Sequence, residues 1–296
     1  MTADQLNLTG RIAGAPCSWG VNEVPGWGYQ LTVDRVLSEM RGLGLAATEF
    51  GPDGFLPDRP ADKVALLAES ALHAVGAFVP VVLHEPGHDP VPTAARAIEG
   101  LVAAGADTLV LAAATGRDGY DSRPELDGAG WQTLFGNVDR LRTLAAQAGL
   151  TACLHPHVGT LIETRDDVTR LLDGATIPLC LDTGHLLVGG SDPVELAEQA
   201  PGRVAHVHLK DVDAGLAAQV RAGSRTYTDA VGAGMYRPLG SGDVDVAAIV
   251  SALERAGYRG WYVLEQDAKL RAEPPAGGGP VLDVRTSLDF LTSLTA

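Results

Sequence analysis

Short apolar runs alternate with helical patterns along the chain, and this alternation is the feature that most constrains its fold. The strand candidates number eight: residues 11–18, 46–50, 77–84, 107–113, 151–157, 177–182, 203–209 and 260–265. Helical stretches lie between them, and four end at Gly44, Gly105, Gly149 and Gly257, as is usual where a left-handed residue stops a helix. Strands that alternate with helices form parallel sheets, and eight such units in 296 residues are typical of a closed barrel. We therefore predict an α/β fold, a (β/α)8 barrel, with residues 1–296 in a single domain.

An open, doubly wound sheet is the alternative with the same alternation. That fold usually carries a glycine-rich phosphate-binding turn after its first strand, and the sequence CSWG at 17–20 is not such a turn. The stretch 212–242, between the seventh strand and its helix, is far longer than an ordinary βα connection. We expect it to be a lid or substrate loop at the barrel mouth, and we expect the long connection 115–130 to flank the same mouth.

The charge balance and the N-terminal sequence exclude several functions. With 22 Lys and Arg against 37 Asp and Glu, the formal charge is −15, which repels nucleic-acid phosphates and anionic lipid. The sequence MTADQLNLTGR has neither the basic nor the apolar region of a signal peptide, and no apolar run approaches the roughly 20 residues of a membrane span. We therefore expect a cytoplasmic protein that binds neither nucleic acid nor a membrane. We expect its three widely spaced cysteines to be reduced.

Polar residues follow the apolar runs at the strand ends, where the active site of a barrel is built. They are Glu49, His84, His155, His157, Asp182, His206, His208 and Glu265. Because side chains alternate along a strand, the two histidines of each pair share a face, and both can point into the barrel. An ionised Asp182 at the end of a buried strand needs a partner, and a metal ion provides one. We predict one divalent ion bound by His155, Asp182, His208 and Glu265.

Other interpretations of these residues stay open. His157 can replace His155 as a ligand after a small shift of the strand end, and a strand-end carboxylate such as Asp182 more often caps the following helix. We expect His206 to lie in an inner layer below the site. The candidate substrate contacts at or just after the strand ends are Glu49, His84, His157, Lys210 and Asp211.

The ligand types narrow the choice of ion. Mixed imidazole and carboxylate ligands favour Mn²⁺, Fe²⁺, Co²⁺ or Zn²⁺ over Mg²⁺ or Ca²⁺. We expect Mn²⁺ or Co²⁺, with Zn²⁺ and Fe²⁺ as alternatives. The scarcity of Arg and Lys at the strand ends disfavours a phosphorylated substrate.

Three motifs resemble the xylose isomerase-like sugar phosphate isomerase/epimerase superfamily of TIM barrels. They are LDTGH at 181–185, HVHLKD at 206–211 and LE at 264–265, and the resemblance covers nearly the whole chain. The stretches LHPHVGTLIET at 154–164, TDAVGAGMYRPLGSGDVD at 228–245 and GWYVLEQD at 260–267 are similar to the inosose dehydratases of myo-inositol catabolism. The resemblance implies that Asp182, His208 and Glu265 are metal ligands and that His185 faces the substrate. Where epimerases of the superfamily place a metal-binding glutamate that serves as one of two opposed bases, this chain has His155.

The resemblance and the strand-end residues together predict the reaction. We expect metal-dependent dehydration of a small polyhydroxylated keto substrate, a keto-cyclitol such as an inosose, with Glu265 as base and His185 as acid. Lys210 and His157 are alternative acids, and Glu49 is an alternative base. A sugar isomerase or 3-epimerase of the same superfamily is the second expectation, and a barrel that binds a polyol without turnover is the third. We also expect a homo-oligomer.

Overall fold

Eight parallel strands form a closed barrel in the computed structural model, which describes residue 8 and residues 10–295. Numbered β1 to β8 in chain order, the barrel strands are Ile12–Gly14, Ala47–Glu49, His73–Val82, Thr108–Ala114, Thr151–Leu154, Leu179–Asp182, Val204–Leu209 and Tyr262–Leu264. Each strand pairs with its neighbours in the sequence, and β8 pairs with β1 to close the ring. The prediction of a (β/α)8 barrel is confirmed.

Helices connect successive strands and cover the outside of the barrel. Numbered α1 to α11, they are Val33–Gly42, Pro60–Glu69, Val91–Ala103, Gly128–Gln147, Arg165–Gly174, Thr183–Gly189, Pro193–Gln199, Ala214–Arg221, Tyr227–Gly232, Val246–Arg255 and Pro280–Ser293. The four predicted helix-ending glycines all have positive φ, between 70° and 86°, which confirms that they stop their helices. Within the described part of the chain, no helix combines the length and the apolar character needed to cross a membrane.

Several strands differ in extent from their predicted bounds. Strand β1 ends at Gly14 because Pro16 begins a 3-10 helix, Pro16–Trp19, so the predicted extension to residue 18 is wrong. Strand β5 ends at Leu154, three residues short of the prediction. Beyond it, His157 donates its backbone N–H to the Ile162 carbonyl, in the same connection, instead of to a neighbouring strand. Strand β3 begins at His73, ahead of the predicted start at residue 77.

The long connection after β7 has secondary structure of its own. It contains α8 and α9, and Asp211–Val212 pairs with Tyr236–Arg237 in a short antiparallel ribbon. The Asp213 side chain caps α8 and the Thr226 side chain caps α9, so each helix begins at a residue type that favours this role. The connection is therefore a folded insertion rather than an irregular loop.

Asp211 attaches this insertion to the end of β7. Its side chain is fully buried, and its two oxygens accept backbone N–H groups from Val212, Gly240, Gly242 and Val244 at 2.9 to 3.0 Å. Hydrogen bonds to a charged acceptor are stronger than neutral ones, and buried donors that lose their acceptor carry a desolvation cost. One carboxylate therefore holds both ends of the insertion together.

Replacing Asp211 by Ala should lower the free energy of unfolding by about 3 kcal/mol, because it leaves four backbone N–H groups, two of them buried, without an acceptor. The measurement is the shift of the urea midpoint. Asp213→Ala is the matched control, since Asp213 accepts the Leu216 N–H at the start of α8 and, on its other oxygen, only a partly exposed Arg237 guanidinium. Its loss should cost about 1 kcal/mol. Equal losses for the two variants would contradict this account of Asp211.

Candidate metal centre and active site

Four predicted ligands meet at the C-terminal mouth of the barrel. One ligand atom from each of His155, Asp182, His208 and Glu265 lies within 4.8 Å of the others. Asp182 and His208 are direct partners on the paired strands β6 and β7, while the backbone N–H of His155 is held by the carbonyl of Leu111 in β4 at 2.8 Å. The structure thus brings together the predicted set with His155, and not His157, as the member that follows β5.

Asp182 uses its two carboxylate oxygens differently. Oδ1 accepts the backbone N–H groups of Gly184 and His185, at 2.9 and 2.7 Å, and so caps helix α6. Oδ2 lies 3.2 Å from His155 Nε2 and faces the other ligands. The two interpretations of this residue, helix cap and metal ligand, are therefore compatible in a single side-chain position.

The free ring nitrogens show whether the cluster fits a metal ion. The Nδ1 atoms of His155 and His208 are buried and make no hydrogen bond among the described residues. His208 Nδ1 lies 3.1 Å from Glu265 Oε2 and 3.7 Å from Asp182 Oδ2, beside two carboxylates. Two imidazoles and two carboxylates at this spacing fit a divalent ion of the Mn²⁺, Fe²⁺, Co²⁺ or Zn²⁺ class.

Lys210 supplies positive charge to the same carboxylates. Its side chain is almost fully buried, and Nζ lies 2.7 Å from Asp182 Oδ2, in contact with Glu265 Oε2 and 3.8 Å from Asp267 Oδ2. Burial by itself would lower the pKa of Lys210, but the three carboxylates outweigh it and hold that pKa well above its usual value. Lys210 is therefore a charged ammonium at neutral pH.

The other pKa shifts define the charges of three candidate ligands. Burial lowers the pKa of His155 to about 4, despite its hydrogen bond to Asp182, so its ring is neutral at pH 7. Burial would raise the pKa of Glu265, but His208 and Lys210 hold it well below its usual range. Against the effect of burial, Glu265 and Glu49 raise the pKa of His208 well above its usual value. Without a metal ion, His208 is therefore protonated at pH 7.

A central cavity opens above this cluster. Its empty volume, which includes the opening to solvent, is about 480 Å³. The polar side chains that line it are Asn22, Glu23, Glu49, His155, His157, Lys210, Glu265 and Asp267. The predicted substrate contacts Glu49, His157 and Lys210 are thus among the lining residues, so the cavity is of the concave kind that binds small molecules.

His185 lies behind His157 and is not among the residues that line this cavity. The two rings are 3.7 Å apart between centroids. His185 Nδ1 accepts the backbone N–H of Val158 at 3.3 Å and faces the Tyr236 hydroxyl at 3.3 Å. Its proton is therefore on Nε2, which lies 3.4 Å from Asp267 Oδ2. The predicted acid reaches the cavity only through its neighbours.

Two other predicted substrate contacts lie outside the cavity lining. His84 follows β3, and its Nε2 is 3.9 Å from Glu85 Oε1. Asp211 is the buried anchor of the insertion, where backbone N–H groups occupy both of its oxygens. A strand-end position alone therefore does not bring a polar side chain to the cavity. The backbone can turn away from the cavity, or the side chain can accept hydrogen bonds from a neighbouring connection instead.

Sequence reasoning missed several polar residues at the site, among them Glu23, Asp267, Tyr227 and Tyr236. Asp267 lines the cavity, and its Oδ2 accepts the Tyr227 hydroxyl at 3.0 Å. The Tyr227 and Tyr236 hydroxyls are 3.1 Å apart, and both side chains are buried. A signal for Asp267 existed, because it lies two residues after Glu265, as in an alternating strand. Nothing in the local pattern distinguished the two tyrosines of the insertion.

Comparison with known proteins identifies the family. Residues 38–294 match the profile of the xylose isomerase-like TIM barrel family. An inosose dehydratase of Geobacillus kaustophilus (strain HTA426) is 31% identical over 297 aligned residues, which cover 96% of this chain and 94% of that protein. The chain therefore belongs to the xylose isomerase-like TIM barrel family.

Two solved structures share the fold at low sequence identity. The IolI protein, whose crystal structure has a bound zinc atom, is 15% identical with a TM-score of 0.67, and the match covers 96% of this chain and 98% of that one. The 3-keto-D-glucoside 4-epimerase YcjR from E. coli is 17% identical with a TM-score of 0.65, covering 96% and 99%. At these identities the similarity extends to the fold alone.

The purified protein should bind one divalent ion, and the Asp182→Ala, His208→Ala double variant should not retain it. The reason is that the double variant removes a carboxylate and an imidazole from a four-ligand site. Metal analysis after dialysis is the measurement, with His88→Ala as a control imidazole outside the cluster. Stoichiometric metal in the double variant would rule out this assignment.

Metal binding at pH 7 should release about one proton, because His208 is protonated in the metal-free site and must lose a proton to become a ligand. His155, with a pKa of about 4, contributes none. Affinity should therefore weaken as the pH falls, by about tenfold per unit below the pKa of His208. Calorimetric titration in buffers of different ionisation enthalpy measures the released proton, and a binding enthalpy independent of buffer would contradict the prediction.

Proposed function

We propose that this protein catalyses metal-dependent dehydration of a keto-cyclitol such as an inosose. The main support is the convergence of His155, Asp182, His208 and Glu265 at one end of a barrel that is similar over most of its length to an inosose dehydratase. The cavity above these residues is lined by groups that can bind hydroxyls and move protons. The substrate class is a small polyhydroxylated ketone without a phosphate group.

Glu265 is the proposed base. When bound, a divalent ion would supply Lewis-acid stabilisation of negative charge on the ketone oxygen, a contribution of several kcal/mol. Glu265 is ionised at neutral pH, because His208 and Lys210 hold its pKa well below its usual range in spite of burial. It lines the cavity and can therefore accept the proton from the carbon beside the ketone.

Lys210 is the group best placed to protonate the departing hydroxyl. It lines the cavity and carries N–H donors at neutral pH. His157 donates its Nδ1–H to the Val158 carbonyl at 2.7 Å, and burial and neighbouring histidines hold its pKa well below the usual value, so its Nε2 offers a lone pair instead. His185 lies behind His157, with its N–H near Asp267. We therefore assign the acid to Lys210 in preference to His185.

Isomerisation or 3-epimerisation is the second candidate, since it begins with the same proton abstraction. An epimerase must return the proton to the opposite face of the carbon, which requires a second base across the substrate. In this chain His155 follows β5, where the epimerases that the sequence resembles have a carboxylate. Glu49 also lines the cavity, but its Oε1 is hydrogen-bonded to His206 and His208. This arrangement favours elimination over proton exchange between faces.

The metal-loaded protein should convert scyllo-inosose to a conjugated dione, which absorbs in the ultraviolet. Lys210→Met should lower kcat by about 10² to 10⁴, the usual contribution of a general acid. Lys269→Met is the matched control, because Lys269 packs over the Trp27 ring, outside the cavity lining. The measurement is the rate of absorbance increase with each variant saturated with metal.

Two outcomes would contradict the proposed reaction, and a third would remove only the assigned acid. Clean interconversion of a ketose pair, with no dehydration of any inosose, would indicate an isomerase or epimerase. Tight binding of cyclitols, inososes or ketoses with no turnover in Mn²⁺ or Co²⁺ would indicate a polyol-binding barrel. Equal activity of Lys210→Met and Lys269→Met would leave dehydration in place but remove Lys210 as the acid.

A further inference from the structure

A second polar cluster adjoins the metal centre and shares His208 with it. Glu49 Oε1 is 2.8 Å from His206 Nε2 and 3.0 Å from His208 Nε2. All three side chains are almost fully buried. His206 and His208 lie two residues apart on β7 and so point to the same side, while Glu49 reaches them from β2.

The chain is arranged locally to bring Glu49 to this position. The pairing of β2 with β3 shifts register between Thr48 and Glu49, an irregularity of the kind that re-aims a side chain. Opposite Glu49 on β3 is Gly76, where a Cβ atom would lie 3.3 Å from Glu49 Oε1. The register shift and the missing side chain together leave room for a carboxylate inside the barrel.

A buried carboxylate at this depth is costly unless it is hydrogen-bonded. Here Glu49 Oε1 accepts hydrogen bonds from the imidazoles of His206 and His208. Each hydrogen bond determines that the Nε2 atom of that ring carries a proton. When the Nε2–H of His208 is donated to Glu49, the nitrogen left to bind a metal ion is Nδ1. That atom is the one that faces Glu265 and Asp182, at 3.1 and 3.7 Å.

We propose that Glu49 and His206 are positioning residues that fix the ring orientation and tautomer of His208 for metal binding. Glu49 accepts the Nε2–H of His208 and so presents its Nδ1 lone pair to the ion, and His206 holds the Glu49 carboxylate in place through a second hydrogen bond. Such outer partners of a histidine ligand make it a stronger ligand and prevent ring rotation. This inference rests on the metal site that the proposed function requires.

Glu49→Ala should weaken metal affinity by about 10- to 100-fold, the usual effect of losing an outer partner of a histidine ligand. Glu49→Gln should recover part of this loss, because its amide oxygen can still accept the Nε2–H but carries no charge. Glu254→Gln is the matched control, since Glu254 also accepts two side-chain donors, Arg11 and Tyr262, but lies on α10. The dissociation constant of each variant is measured by competition with a chelator, and only variants that are shown to be folded are compared.

Spectroscopy separates positioning from a general effect on stability. The visible absorption of bound Co²⁺ should change in both Glu49 variants and stay unchanged in Glu254→Gln. In the zinc-loaded wild type, long-range ¹H–¹⁵N spectra should show His208 protonated at Nε2 and bound through Nδ1. The spectrum of the wild type tests the inference even where a Glu49 variant fails to fold.

The outcomes distinguish this inference from the metal site itself. If the wild type binds no divalent ion, the proposed function and this inference are both overturned. If the wild type binds the ion but both Glu49 variants keep its affinity and Co²⁺ spectrum, only the positioning role is overturned. Binding through Nε2 of His208 overturns it as well.

Discussion

The mouth of this barrel depends on the pairing of buried carboxylates with one ammonium group. Removing several carboxylates from water costs several kcal/mol each unless opposite charges lie in contact. Lys210 meets this requirement, since its Nζ contacts Asp182 and Glu265 and lies 3.8 Å from Asp267. The aliphatic part of the Lys210 side chain packs against Gly184, where an added Cβ would lie only 2.6 Å from the Lys210 Cβ. Gly184, two residues after Asp182, is thus part of the charge arrangement.

The sequence was sufficient to predict the barrel and the convergence of the four candidate ligands for one physical reason. The C-terminal ends of parallel strands in a closed barrel converge, so residues far apart in the chain meet without any detail of packing. The alternation of side chains along a strand also indicates which residues share a face, as His206 and His208 do on β7. His206, which is expected in an inner layer, is buried and hydrogen-bonded to Glu49.

The remainder of the site depends on features that alternation does not describe. Asp211 lies just beyond the end of a strand and Asp182 is the last residue of one, yet the oxygens of Asp211 are occupied by backbone N–H groups that come from about 30 residues later in the chain. Tyr227 reaches the site from a folded insertion whose helices carry no ligand pattern. The depth of Glu49 depends on a register shift beside it. Each of these positions is determined by tertiary contacts, so local sequence reasoning could name the residue but not its neighbours.

Asp182 shows why a short side chain is needed where a strand ends and a helix begins. Two backbone N–H groups of α6 hold Oδ1 in place. Because only one methylene separates the carboxylate from the backbone, these hydrogen bonds also fix the direction of Oδ2. A glutamate would gain a rotatable bond and lose that restraint. Capping the helix therefore also directs the other oxygen, Oδ2, toward His155 and His208. A functional side chain is held in its productive geometry by supporting contacts of this kind. The structural role and the proposed ligand role reinforce each other in this residue, because the same hydrogen bonds serve both.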